Sequence, residues 1–212
     1  LTWKKEFNYS AINNFAVREA RGEYLLFLNN DVEIITENWL EEMLQLCQQK
    51  DVGMVGAKLY YPDDTIQHAG VVVGLGGVAA HVLCKLPRDA EGYMGRLRCV
   101  QEISAVTAAC MMVKTSVFKA VGGFDEELKV AFNDIDLCMK VRKYGVKIVF
   151  TPYAELYHYE SKSRGMEDTP EKQLRFSREV NCFRRKWERE LLKGDPYYNP
   201  NLTLNNTDCS LD

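Results

Sequence analysis

The run YLLFL, Tyr24 to Leu28, breaks off into Asn29-Asn30-Asp31. Five mostly apolar residues ending in turn formers read as a buried strand that delivers polar side chains at its carboxyl end. Helical patterns surround it. Ile12, Phe15, Ala16 and Ala20 recur at helical spacing, with Ser10 as the expected cap and Gly22 as the stop. A second helix starts near Thr36 and Glu37, with Leu40, Met43, Leu44 and Cys47 on its apolar face. Short strands are expected in VGMVG, AKLYY and KIVF, and a central strand in SAVTAACMMV, which Thr115 follows as the cap of a short helix ending at Gly122-Gly123. A helix from Asp134 to about Tyr144 carries Leu137, Val141 and Tyr144 on one stripe and stops at Gly145.

Alternating helices and strands without an internal repeat specify an α/β unit whose sheet is mixed and mainly parallel, flanked by helices. Ligands of such sheets bind at the carboxyl ends of strands, which is where Asn29, Asn30 and Asp31 fall. The stretch from about Pro62 to Ser104 is rich in glycine and loop formers and reads as an insertion facing a substrate. Within it Gly74-Leu75-Gly76-Gly77-Val78-Ala79 satisfies a dinucleotide-binding pattern, but Leu86-Pro87 leaves no room for the helix that such a turn must open.

The last helix opens at Thr169-Pro170 and aligns Phe176, Val180, Phe183, Trp187 and Leu191. From Glu171 to Lys193 it holds 8 Lys/Arg against 4 Glu, so its outer faces are either a solvated surface or a peripheral contact with membrane headgroups.

Composition narrows the function classes. Of the 212 residues 46% are hydrophobic and 27% charged, an ordinary globular balance, and a net charge of -3 gives no support to nucleic-acid binding. No apolar run approaches the roughly 20 residues of a membrane span. Seven scattered cysteines without a CxxC pair suit reduced thiols, hence a cytoplasmic setting, at most against the inner face of a membrane.

Three polar sets follow apparent strand ends or helix starts: LNND, VAFNDIDLCMK and AELYHYES. Asp31 is a turn residue or a ligand of a divalent cation, and His158 is a structural histidine or a second ligand, the remaining positions being left to phosphate oxygens and water. Asp134 and Asp136 lie about 200° apart around a helix, so one of the two is expected to face substrate and the other to be structural.

The stretches FNYSAINNFAVREARGEYLLFLNNDVEI, VGGFDEELKVAFNDIDLCMKVRKYG and TPYAELYHYES closely resemble the bacterial family 2 glycosyltransferases, in particular rhamnosyltransferase-like enzymes of surface polysaccharide synthesis. The resemblance implies a GT-A (Rossmann-like) domain that takes a nucleotide-diphospho-sugar donor and a saccharide or lipid-linked acceptor with a divalent cation, Mg or Mn. It places Asn29-Asn30-Asp31 on the family's D-x-D motif, with Asp31 as metal ligand and Asn29 and Asn30 toward the donor. Asn133-Asp134 falls on the family's E-D pair, making Asp134 the catalytic base of an inverting displacement. His158 would complete the metal shell, Lys162 and Arg164 would close over the diphosphate, and Gln67, His68 and Asn133 would lie on the acceptor side.

Leu1 and the opening LTWKKEFNYS carry no domain-starting element, and the family's nucleotide-base motifs do not occur. The expectation is therefore an incomplete GT-A domain over residues 1–160, with 62–104 as acceptor-side insertion, followed over 161–212 by a loop, an amphipathic helix and a tail packing on the same domain. The alternative is an inactive or binding-only piece, with the amides at 29 and 133 marking lost chemistry.

Overall fold

The computed structural model describes residues 1–159 and 169–211. In chain order the elements are α1 (Tyr9–Val17), β1 (Tyr24–Leu28), β2 (Val32–Ile34), α2 (Trp39–Cys47), β3 (Val52–Tyr60), β4 (Ile66–His68), β5 (Val71–Val73) and β6 (Ala79–His81). Then come β7 (Gln101–Glu102), β8 (Cys110–Lys114), α3 (Thr115–Ala120), α4 (Asn133–Tyr144), β9 (Lys147–His158) and α5 (Pro170–Lys193). The main sheet runs β1-β8-β3-β9-β2, with β4 beside β3 and β7 beside β9, while β5 and β6 form a separate pair.

Period-two alternation gives this sheet two buried faces. Val52, Val55, Ala57 and Leu59 of β3, with Cys110 and Met112 of β8, pack on one face against Trp39, Met43 and Cys47 of α2. Met54 and Tyr60 of β3, with Met111 and Val113 of β8, point the other way into a larger core shared with α3, α4 and α5. Each fully buried large side chain there contributes about 1.5–3 kcal/mol. Phe27, Phe118 and Phe124 meet in this core with ring centroids 5.0 to 5.6 Å apart, and Tyr9 of α1 closes on Phe124 at 5.8 Å.

Several local expectations need correction. Asn8, not Ser10, caps α1 by accepting the Ala11 N–H, and the Ser10 hydroxyl is buried and donates to the Leu128 carbonyl. The α2 stripe runs through Trp39, Met43 and Cys47, leaving Leu40 exposed, because spacings of four from Met43 set the buried line. VGMVG and AKLYY join into the single strand β3, and KIVF continues into AELYH as β9. The sheet is mixed, as expected, but its parallel pairing is confined to β3 and β9; the other named pairings are antiparallel. An apolar run reports burial and not direction, which the connections decide.

Residues 62–104 are woven into the fold. β4 pairs with the end of β3 and β7 with β9, and the glycines at 74, 76 and 77 make a tight turn between β5 and β6. That turn rests on the C-terminal region: the Gly76 N–H donates to the Leu204 carbonyl, and Arg184 donates to the Gly77 carbonyl.

One glycine fixes where the pocket floor lies. A Cβ on Gly56 of β3 would meet Val106 Cγ1 at 2.3 Å and Val106 Cβ at 2.5 Å, so only glycine lets residues 104–109 lie flat on the strand. Cys138 of α4 holds the same segment from the other side, accepting the Val106 N–H at 3.4 Å. Gly56→Ala is expected to destabilise the protein by about 1–3 kcal/mol in denaturant unfolding. Adding Val106→Ala should recover part of that loss; equal losses in the single and double variants would show that the contact is not the cause.

Candidate functional site

Asp31 stands between β1 and β2, and His158 ends β9. Antiparallel pairing of β2 with β9 sets Val32 opposite His158, and the Tyr159 N–H donates to the Asp31 carbonyl at 2.8 Å. This closes a separation of more than a hundred residues. His158 Nε2 lies 3.3 Å from Asp31 Oδ1 and 3.1 Å from Asn29 Nδ2. The far side of the imidazole is engaged by Gln67 of β4, with Nδ1 to Oε1 at 2.7 Å. Asp31 Oδ1 is buried, and among the described residues no hydrogen bond reaches it.

These two side chains could hold part of a cation's shell. A carboxylate oxygen without a hydrogen-bond donor faces a ring nitrogen, and both atom types can ligate a divalent cation. Among the described residues no cluster of three His, Cys, Asp or Glu side chains surrounds a common point. The residues present fit such an ion. Asn29 competes for the same nitrogen.

Asp134 enters from α4. Its Oδ2 accepts the Ala108 N–H at 3.1 Å and its Oδ1 accepts the Ile135 N–H at 2.8 Å, which fixes the carboxylate at the helix start while leaving further lone pairs available. Asn133 beside it is buried and donates to the Val130 carbonyl at 2.9 Å, bracing the loop that leads into the helix. Asp136 points away into the core. It is fully buried, receives the Trp187 indole N–H at 2.8 Å and meets Lys186 at 2.8 Å and Lys140 at 3.2 Å.

Helix α5 therefore does more than present a stripe to the core. Buried Glu179 accepts the N–H groups of Val130 and Ala131 at 2.9 and 3.1 Å, and Phe132, in left-handed conformation at φ 61°, packs on Phe176 and Phe183. Glu179, Phe183 and Trp187 together set the approach to Asp134.

Asn29, Asn30, Asp31, Asn133, Asp134 and His158 line one pocket of about 460 Å³. Tyr9 and the segment 107–109 also form part of its wall, and sequence reasoning missed both. Tyr9 lies in the FNYS stretch, where only its place in a longer pattern marked it; its hydroxyl donates to the Ala108 carbonyl at 3.1 Å, and burial pushes its phenol far above the ordinary value, with Asp134 adding to the effect. A larger groove of about 940 Å³ between the N-terminal segment and α5 shares Phe7 and Val130 with this pocket.

Two assignments shift. Gln67 and His68 do not line the pocket, because the register of β4 on β3 buries both. Gln67 turns to His158, and His68, pointing to the opposite face of the strand, turns to His81 at 2.9 Å. Lys162 and Arg164 lie outside the described residues.

Comparison with known proteins gives the context of this pocket. The chain matches the sequence model of the Glycosyltransferase like family over residues 2–179. The uncharacterized protein y4gI of Sinorhizobium fredii is 57% identical over 208 residues, covering 98% of this chain and 23% of that protein. The O-antigen biosynthesis protein RfbC of Myxococcus xanthus is 43% identical over 212 residues, covering 100% of this chain and 16% of that protein. The chain thus spans less than a quarter of either relative. Among solved structures, the mannosyltransferase PcManGT from Pyrobaculum calidifontis, in complex with GDP-Man and Mn2+, superposes with a TM-score of 0.58 at 15% identity over 89% of this chain and 46% of that one. The two share a fold, in agreement with the GT-A expectation.

The histidine behind the site makes stability depend on pH. His68 Nε2 accepts the Thr107 N–H at 3.4 Å, so its Nδ1 carries the ring proton and donates to His81. Burial pushes His68 well below its ordinary value of 6.5, and the charges of His81 and His158 act in the same direction. The folded chain keeps this ring neutral while the unfolded chain takes up a proton near 6.5, so the stability present above 6.5 is lost as pH falls toward the folded value. Melting temperature is expected to fall between about pH 7.5 and about pH 5, and His68→Gln should flatten that slope. An unchanged slope in the variant would assign the effect to other groups.

Proposed function

The chain belongs to the glycosyltransferase-like family, and on that premise we propose that the full protein moves a sugar from a nucleotide-diphospho-sugar to a saccharide or lipid-linked acceptor, with inversion, for cell-surface polysaccharide. The observation that carries this reading is the joining, in one pocket, of the Asp31–His158 pair at 3.3 Å with Asp134 and its two backbone hydrogen bonds. The Mn2+ and GDP-Man of the similarly folded mannosyltransferase support the choice of cation and donor class.

In the reaction, the acceptor hydroxyl oxygen attacks the anomeric carbon of the donor. Asp134 takes the hydroxyl proton as the new bond forms, and the bond from the anomeric carbon to the diphosphate oxygen breaks, its electron pair leaving with the nucleoside diphosphate. A general base positioned in this way contributes about 10² to 10⁴ in rate. Asp31 and His158 would hold the divalent cation, which when bound supplies positive charge to the leaving diphosphate. Asn29 and Asn30, at the carboxyl end of β1, face the same pocket and offer amide hydrogen bonds to the donor.

The acceptor approaches along the larger groove, which opens beside Asp134 through the shared Phe7 and Val130. Exposed Leu174 and Phe176 on α5 lie among basic residues and suit a lipid-linked acceptor or the headgroups around it. The compartment belonging to this reading is the cytoplasm, at the inner face of the membrane; the seven free cysteines support it.

Asp134→Asn in the full-length protein should lower sugar transfer by about 10² to 10⁴ while Mn2+ binding stays within a factor of about two. Transfer by the variant at the parent's rate would remove Asp134 from catalysis. Absence of transfer by both, with donor binding intact, would favour the binding-only reading that the amides at 29 and 133 raise.

A further inference from the structure

We infer that Gln67 is a positioning residue for the metal site, holding His158 in the ring tautomer and orientation that presents Nε2 to a cation without itself touching it. The inference rests on the assignment of Asp31 and His158 as cation ligands. Gln67 lies on β4, is only 4% exposed, and makes two bonds to one residue: its Oε1 meets His158 Nδ1 at 2.7 Å and its Nε2 donates to the His158 carbonyl at 3.2 Å.

The second bond decides the first. A carbonyl only accepts, so the nitrogen of the Gln67 amide must face it, and the amide oxygen is thereby turned to Nδ1. An oxygen at 2.7 Å from Nδ1 requires a proton on that nitrogen, and in the neutral ring Nε2 is then left with its lone pair. That lone pair is on the side of Asp31 Oδ1 and receives the Asn29 amide at 3.1 Å. A metal-binding histidine works only when its other nitrogen keeps the proton, and the partner that secures this commonly changes metal affinity 10–100-fold.

Glutamine suits this position for a further reason. A side chain without its donor would leave the buried His158 carbonyl short of one hydrogen bond, and one without its acceptor would strand the Nδ1 proton. Strand geometry makes the clamp rigid: β4 is bonded to one edge of β3 and β9 runs parallel along the other, so Gln67 reaches His158 from the far side of β3.

The test uses the 212-residue chain and Mn2+ alone. Long-range ¹H–¹⁵N correlation spectra near neutral pH should show His158 protonated at Nδ1; the chain has three histidines, so assignment by single substitution is direct. Gln67→Met, close in size but without the acceptor, should move His158 toward the Nε2-protonated form and weaken Mn2+ binding, followed by electron paramagnetic resonance, about 10–100-fold. Gln67→Glu keeps the acceptor for Nδ1 but loses the donor to the His158 carbonyl, so it should keep the Nδ1 proton and bind Mn2+ more tightly than Gln67→Met, at some cost in stability. A Gln67→Met protein with His158 still protonated at Nδ1 and parental Mn2+ affinity would overturn the proposal. Should that variant fail to fold, loss of the Nδ1 proton in folded Gln67→Glu would overturn it as well. Asp31→Asn separates the two levels: unchanged Mn2+ binding there would defeat the cation assignment, while the tautomer spectra still judge Gln67 alone.

Discussion

The antiparallel pairing of β2 with β9 is the interaction on which the rest depends. Asp31 and His158, more than a hundred residues apart, come together only because Val32 faces His158 across that ladder. The strand is three residues long, so its register cannot be secured by its own length. It is secured at both ends: the Tyr159 N–H bonds to the Asp31 carbonyl at one, and the Ile35 and Thr36 N–H groups bond to the Glu155 carbonyl at the other. A one-residue slip would turn the side chains of one strand to the opposite face and undo the present approach of His158 to Asp31.

Asp134 is positioned by a second, independent device. The turn that leads into β8 supplies its partner Ala108, but the angle of its helix is set from outside by α5. Glu179 holds the backbone before the helix, Asp136 ties the first turn to Lys186 and Trp187, and Phe132 wedges its ring between α5 side chains. A buried carboxylate such as Glu179 is costly unless its lone pairs are used, and two backbone N–H groups use them. The Asp31–His158 side and the Asp134 side of the pocket thus rest on different parts of the chain, one on strand pairing and the other on helix packing.

Much of this was legible in the residues, for reasons that differ by element. Strand β1 and helix α4 announce themselves because a short apolar run ending in Asn and Asp, and a stripe closed by Gly145, are local signals. The separation of Asp134 from Asp136 followed from helix geometry alone, and the structure sends one to the pocket and one to the core. Pairing was not legible. Nothing in IQHAG says that Gln67 will meet a histidine 91 residues away and His68 another 13 away, because both contacts come from registers between strands. The basic faces of α5 suggested a solvated helix, and its one buried carboxylate carried no sequence signal distinguishing it from the exposed ones.

The amides at positions 29 and 133 have roles that carboxylates could not fill in this geometry. Asn133 donates to the Val130 carbonyl, and a carboxylate there would set two acceptors against each other in a buried place. Asn29 offers an N–H to the neutral nitrogen of His158, satisfying a ring that would otherwise face only the acceptor oxygen of Asp31. Among the described residues the pocket is lined by two carboxylates, Asp31 and Asp134, and the amides at 29 and 133 add none, which lowers the repulsion that an anionic diphosphate would meet. It also lowers the charge that could attract a cation, so in the proposed reaction metal binding would lean more heavily on the placement of Asp31 and His158 than on field strength. A site with few charges gains from a rigid second partner such as Gln67, since each misdirected lone pair removes a larger share of what holds the ion.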